Sequence, residues 1–168
     1  MVDASTVSIV IASASVIAGV LYYVTQTRNL VKSRQMDAVM RVYTTWGRED
    51  MKRAFGKVVA LKPMDYEAFS REHGSIASPN RSPIWTDIDR VGWFMNGLGF
   101  MVHRRFVSID LIDELMGYGI VGQWKTLGPL VLGWRAELKT PESFGWFEYL
   151  AKELERRRAI QHQARKSP

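Results

Sequence analysis

From Ala4 to Thr27 the chain places 24 residues in a row without a charged side chain, "ASTVSIVIASASVIAGVLYYVTQT". A helix rises about 1.5 Å per residue, so roughly 20 apolar residues are enough to cross the hydrocarbon core of a bilayer. A cleaved export signal would carry a positive stretch before the run and a small-x-small site after it. Here the front is Met1-Val2-Asp3 and the end is Leu21-Tyr22-Tyr23-Val24. A buried core helix is the other ordinary explanation, but such helices rarely open a chain, uncharged for so long, and meet a basic cluster at once. The expectation is a permanent anchor over residues 1–27.

The flanks give its direction. Arg28, Lys32, Arg34 and Arg41 follow the run, and neither Lys nor Arg precedes it. Cations beside a span stay on the cytoplasmic side, which puts the amino terminus outside and the rest of the chain on the cytoplasmic face of the cell inner membrane. Tyr22 and Tyr23 stand where interfacial aromatics belong, next to Arg28, Lys32 and Arg34 at the headgroups. Within the run, Ala4, Ser8, Ala12, Ser15 and Gly19 recur at steps of four, four, three and four, which stacks small side chains on one face. Small faces let helix backbones approach closely in lipid. The expected partner of that face is a second copy or another membrane protein.

Charge points the same way. The net charge is +6, and residues 1–27 hold one charged side chain, Asp3, so all 23 Lys and Arg lie in the remaining 141 residues. An anionic neighbour is implied, and anionic lipid headgroups fit it better than nucleic acid, because no exposed aromatic platform for bases is evident. The absence of cysteine excludes disulfides and thiolate metal sites.

Beyond Thr27 no Pro or Gly intervenes before Trp46, so the anchor helix is expected to continue as a juxtamembrane helix over 28–46. Leu30, Met36, Val39, Met40, Tyr43 and Trp46 form its apolar stripe, opposite Arg34, Asp37 and Arg41. Further helices are expected at 48–61, 65–73 and, from a capping box of Thr86 and Asp89, about 87–103. A short helix at 110–116 should end at Gly117. A helix through Trp124, Leu127, Val131, Trp134 and Leu138 should be kinked or broken at Gly128-Pro129. A last helix is expected after the N-cap pair Thr140-Pro141, burying Phe144, Phe147, Leu150, Ala151 and Leu154. No strand pattern is present. Val91–Val102 is too short for a second span and Leu115–Trp134 contains Gln123 and Lys125, so both are expected as core helices, with the headgroup layer the alternative seat for the first. The expected fold is all-α: a single amino-terminal transmembrane helix continuing into a compact cytoplasmic helical bundle over 47–155, with a basic tail at 156–168.

Residues able to do chemistry are sparse. The three histidines, His73, His103 and His162, fit no zinc pattern, and "GYGIVG" lacks the lysine and preceding strand of a phosphate loop. Neither metal nor cofactor is expected, and a non-enzymatic role is favoured. One polar cluster stands out: His103, Arg104 and Arg105, followed by Asp110, Asp113 and Glu114. Two arginines facing acids on the next helix would make an interhelix clasp, with anion recognition the sharper alternative.

Several stretches resemble a family of short prokaryotic membrane-anchored proteins of unknown function. They are Tyr23-x-x-Gln26-x-Arg28-x-Leu30 leading to Ser33-Arg34, Asp65-Tyr66-x-x-Phe69, Val91-Gly92-x-Phe94, and Arg104-Arg105 with Asp110. Gly117, Trp124, Pro129, Arg135 and Phe147-Glu148-Tyr149-Leu150 continue the likeness over nearly the whole length. The resemblance implies one amino-terminal span and a helical cytoplasmic domain, and brings no catalytic residues. Arg157-x-x-x-x-His162 resembles the Arg–His motif of HEPN ribonucleases, and the architecture is similar to membrane-bound, pore-forming accessory proteins of RNA-targeting defence systems. The expected function is therefore a self-associating, membrane-anchored interaction or scaffold module. The alternative is a HEPN-like helical ribonuclease using Arg157 and His162, or an oligomeric membrane pore.

Overall fold

With no Pro or Gly between Val20 and Trp46, nothing interrupts the first helix, and in the computed structural model α1 runs over Ala4–Gly47, 44 residues. The structure describes residues 3–164, and the side chains of 4–10 and of Ala164 lie outside that description. Among the described residues there are six helices and no strand. After α1 come α2 (Glu49–Val59), α3 (Tyr66–His73), α4 (Ile84–His103), α5 (Ile109–Leu138) and α6 (Gly145–Ala164). The chain divides into two compact units, Met1–Met40 and Arg41–Pro168.

The first unit is the greater part of α1. Its large side chains from Ile11 to Tyr23 are exposed, and so are Leu30, Val31 and Met36. Leu30, Met36 and Met40 of the expected apolar stripe are thus exposed rather than inward-facing. No helix is long and apolar enough to cross a membrane among the described residues.

The second unit is built on aromatic packing. In the last turns of α1, Val42 is buried while Tyr43 is exposed, and Trp46 meets Phe55 edge-on at 4.4 Å and Phe94 at 5.6 Å. Trp85 is fully buried between Phe69 (5.0 Å) and Trp134 (5.9 Å), and its indole N–H donates to the Gly74 carbonyl at 2.9 Å. Trp134 leads on to Phe144 at 5.1 Å. The inward positions read from periodicity are inward: Ile88, Val91, Met95, Leu98 and Val102 on α4, and Phe144, Phe147, Leu150, Ala151 and Leu154 at the end of the chain.

Four boundaries differ from expectation. α4 starts at Ile84, ahead of Thr86, because Ser82-Pro83 turns the chain first: the Ser82 carbonyl accepts from the Trp85 N–H at 3.1 Å. α5 is one helix through both Gly117 and Pro129, since Gly117 is buried against neighbours rather than ending a helix. α6 starts at Gly145, after turns in which Ser143 donates to Thr140 and Gly145 to Glu142, with Phe144 at φ 55°. Its cap is not Thr140 but Asn96 of α4, whose side-chain oxygen accepts from the N–H groups of Trp146 (3.0 Å) and Phe147 (3.2 Å). Finally, α6 stays helical through the basic segment to Ala164. Asp65, not singled out as a cap from the sequence, caps α3 by accepting from the Ala68 N–H at 2.7 Å, and Gly74 closes that helix with φ 78°.

Candidate functional site

The first candidate surface is α1 itself. Its hydroxyls turn back on the helix: Ser15 donates to the Ile11 carbonyl at 2.8 Å, Thr25 to Leu21 at 2.8 Å and Thr27 to Tyr23 at 2.9 Å. Gln26 donates to the Tyr22 hydroxyl at 2.9 Å. Internal bonding of this kind is what an apolar solvent demands of polar side chains. Ala12, Ser15 and Gly19 lie exposed along one face, and a β-carbon on Gly19 would meet nothing within 4 Å. The side chains of Ala4 and Ser8, the other members of that face, lie outside the described residues. Tyr22, Tyr23, Arg28, Lys32 and Arg34 are all exposed at the far end of the uncharged run.

The second is the seam between α5 and α6. Asp110 and Asp113 are ion-paired, but not with Arg104 and Arg105. Asp110 takes Arg157 at 2.5 Å, and Asp113 takes Arg158. Farther along, Lys125 reaches Glu155 at 3.3 Å and Arg135 reaches Glu148 at 2.7 Å. Of the three acids expected in the clasp, Asp110 and Asp113 are thus paired with other arginines, and no ion pair is found for Glu114 among the described residues. The arginines come from α6 because that helix persists past Glu155 and carries them alongside α5. Arg158 also lies over the ring of Tyr118, its guanidinium carbon 4.1 Å from the centroid. Tyr118, Arg158, Ala159, Gln161 and His162 line an open concavity of about 350 Å³.

That seam also places the proposed ribonuclease pair. Arg157 is held by Asp110 and by Glu153 at 3.1 Å. His162 is five residues on, about 140° around the helix, and the arginine sharing its concavity is Arg158. The Glu153 carboxyl is pulled down to about 2, first by its hydrogen bonds to Arg156 and then by Arg157, so these cations serve carboxylates of the fold. Arg165 and Lys166 lie outside the described residues. No group of three His, Asp or Glu side chains is arranged to hold a metal among the described residues.

The third surface is the outer side of α4. His103 is exposed, packs against Trp146 at a tilt (4.2 Å) and meets Tyr149 edge-on (5.4 Å), and Arg104 lies over Phe100 at 5.6 Å. Arg105 is exposed with a left-handed backbone, φ 58°. Neither arginine has a carboxylate partner among the described residues. Reasoning from sequence missed three connections here and elsewhere: the Asn96 cap, the Arg158–Asp113 pair over Gly117, and a hub at Glu137. The Glu137 carboxylate accepts from the hydroxyls of Tyr66 (2.6 Å) and Ser75. All three join residues at least 45 positions apart, which local spacing does not reveal. No protein-family model, curated protein or solved structure matches this chain.

Proposed function

We propose that this chain is a membrane-anchored, non-enzymatic interaction module. The uncharged run of α1 is its span, the amino terminus faces outward, and the helical second unit works at the cytoplasmic surface of the inner membrane. The observation that carries this reading is the character of α1. Its large apolar side chains from Ile11 to Tyr23 are exposed while its hydroxyls bond internally. Leaving that much apolar surface in water is costly, and lipid tails or partner helices relieve the cost. The sequence carries the uncharged run back to Ala4, to a length that crosses a bilayer.

Self-association runs through the small face of Ala4, Ser8, Ala12, Ser15 and Gly19. Two experiments test these claims separately. After lysis and carbonate extraction the full chain should stay in the membrane pellet, with a carboxyl-terminal tag protected from the outside; recovery in the supernatant ends the anchor reading. Replacing Ser8, Ala12 and Ser15 with Leu should lower the signal in a membrane dimerisation assay several-fold, and an unchanged signal removes that face. RNA cleavage by the wild type that His162→Ala abolishes would instead favour the ribonuclease.

A further inference from the structure

Along α4, Arg90, Trp93, Gly97, Phe100 and Arg104 fall at steps of three, four, three and four, a single stripe on the helix. Its aromatic members are open: Trp93 is 58% exposed, Phe100 38%, and Phe106, just past the helix, 57%. Tyr149 of α6 extends the surface. These rings are not isolated. Phe100 packs edge-on to Phe106 at 6.3 Å and to Trp146 at 6.2 Å. The carboxyl end of the stripe holds Arg104 and Arg105, for which no ion pair is found among the described residues, whereas Arg156, Arg157 and Arg158 are all paired with acids. Aromatic side chains beside unneutralised arginines form a surface with an apolar body and a positive rim.

We propose that this α4 face is a second membrane contact, seated in the headgroup layer of an anionic bilayer. Trp93, Phe100 and Phe106 would enter the boundary between headgroups and acyl chains, and Arg104 and Arg105 would meet lipid phosphates. The inference rests on the anchor reading, which keeps the domain at the membrane surface. Charge complementarity selects lipid over a second copy of the chain. A two-fold pairing of this face would bring four arginines together. The nearby Glu148 is already held by Arg135 and Lys152. The anionic surface supplies the missing counter-charge.

The lack of cysteine permits a clean test on the full chain. Gly97→Cys puts a thiol mid-stripe, where a β-carbon meets nothing within 4 Å, and Leu132→Cys marks an exposed position on α5. Each is labelled with an environment-sensitive fluorophore and reconstituted in phosphatidylcholine vesicles with or without phosphatidylglycerol. The position-97 label should shift to the blue and be quenched several-fold by lipids carrying shallow spin labels, only when phosphatidylglycerol is present. The position-132 label should not respond. Arg104→Gln with Arg105→Gln should abolish the quenching while the protein still floats with the vesicles. Trp93→Cys repeats the reading should the first variant fold poorly. A chain that floats but shows equal signals at 97 and 132 overturns the α4 contact and leaves the anchor standing. One that stays in the aqueous fractions overturns both. A blue shift that grows with protein concentration in micelles, without phosphatidylglycerol, overturns the lipid assignment and gives the face to a second copy.

Discussion

The side-chain oxygen of Asn96 sits 3.0 Å from the backbone nitrogen of Trp146, so a residue in the middle of α4 caps the start of α6. The same oxygen takes the Phe147 N–H at 3.2 Å, satisfying two of the donors that a helix amino terminus leaves open. The fit depends on Gly99, where a β-carbon would overlap the Trp146 carbonyl. Removing the acceptor with Asn96→Ala should cost about 1–2 kcal/mol, the usual value of a good N-cap. Asn96→Asp should retain most of the stability, since a carboxylate accepts the same bonds and suits the positive end of a helix. Denaturant unfolding of the two variants in detergent checks the pair, and equal loss in both would show that shape rather than capping matters at this position.

Two glycines of α5 should respond to alanine with opposite signs. A β-carbon at Gly117 would fall on the Asp113 carboxylate and against the Arg158 guanidinium, whereas one at Gly122 would meet nothing within 4 Å. Gly117→Ala should therefore push aside the flexible ends of both side chains and weaken their ion pair, a net loss of up to about 1 kcal/mol once the helix propensity of alanine is counted. Gly122→Ala gains helix propensity of roughly 0.5–1 kcal/mol with nothing in its way. Thermal unfolding should rank them on either side of the wild type. If Gly117→Ala proves neutral, the glycine is incidental to the seam.

This contrast also marks what could be learned before the fold was known. Helix faces follow from 3.6-residue periodicity, and so Ile88, Val91, Met95, Leu98 and Phe147 were legible as core. Glycine and proline are ambiguous signals. Gly117 read as a helix end and Gly128-Pro129 as a kink or a break, yet α5 is one helix through all three, and at Gly117 the glycine serves close packing rather than an ending. Ser82-Pro83, by contrast, was hidden in a loop rich in the same residue types. The acids Asp110 and Asp113 were found, but their partners depended on α6 persisting through a segment whose composition suggests a solvated end. Exposure of the α4 aromatics is a tertiary fact that spacing alone does not contain.

Glu137 ties the loop after α3 to the end of α5. Its carboxylate accepts from Tyr66 and Ser75 and from the Ala77 N–H at 3.4 Å, and the Tyr66 hydroxyl in turn accepts from the Ile76 N–H at 3.3 Å. Those donors, Ser75 foremost and then Tyr66, hold the Glu137 carboxyl below its ordinary value, and burial followed by the Glu137 bond raises Tyr66. A lowered carboxylate contributes stability that is present above its unfolded value and lost as the pH falls through its folded one. Glu137→Ala should accelerate amide exchange at Ile76 and Ala77 by about tenfold, with little change in the Leu150–Leu154 core. In the wild type the same two amides should lose protection as acid is added, before global unfolding. Protection indifferent to both changes would mean that the loop is held by other contacts.

Asp89 should behave with the opposite sign. It is half-buried on α4, burial pushes its carboxyl above the ordinary 3.8, and the charge of Arg81 offsets this only in part. Below the ordinary value both folded and unfolded chains hold the proton and no penalty exists. As the pH rises from there through the raised folded value, the unfolded state releases its proton first, so native stability falls and then levels off. Asp89→Asn removes the ionisation and keeps the shape. At pH 7 it should gain less than about 1 kcal/mol, since partial exposure screens the charge, which is up to about 4 °C in Tm for a chain of this length. The gain should shrink as the pH falls through 3.8 and vanish below it. Melting curves of both proteins across that range decide the matter: a difference that does not change with pH, or an asparagine variant that is weaker at neutrality, would show that the Asp89 carboxylate is stabilised by its surroundings rather than penalised by them.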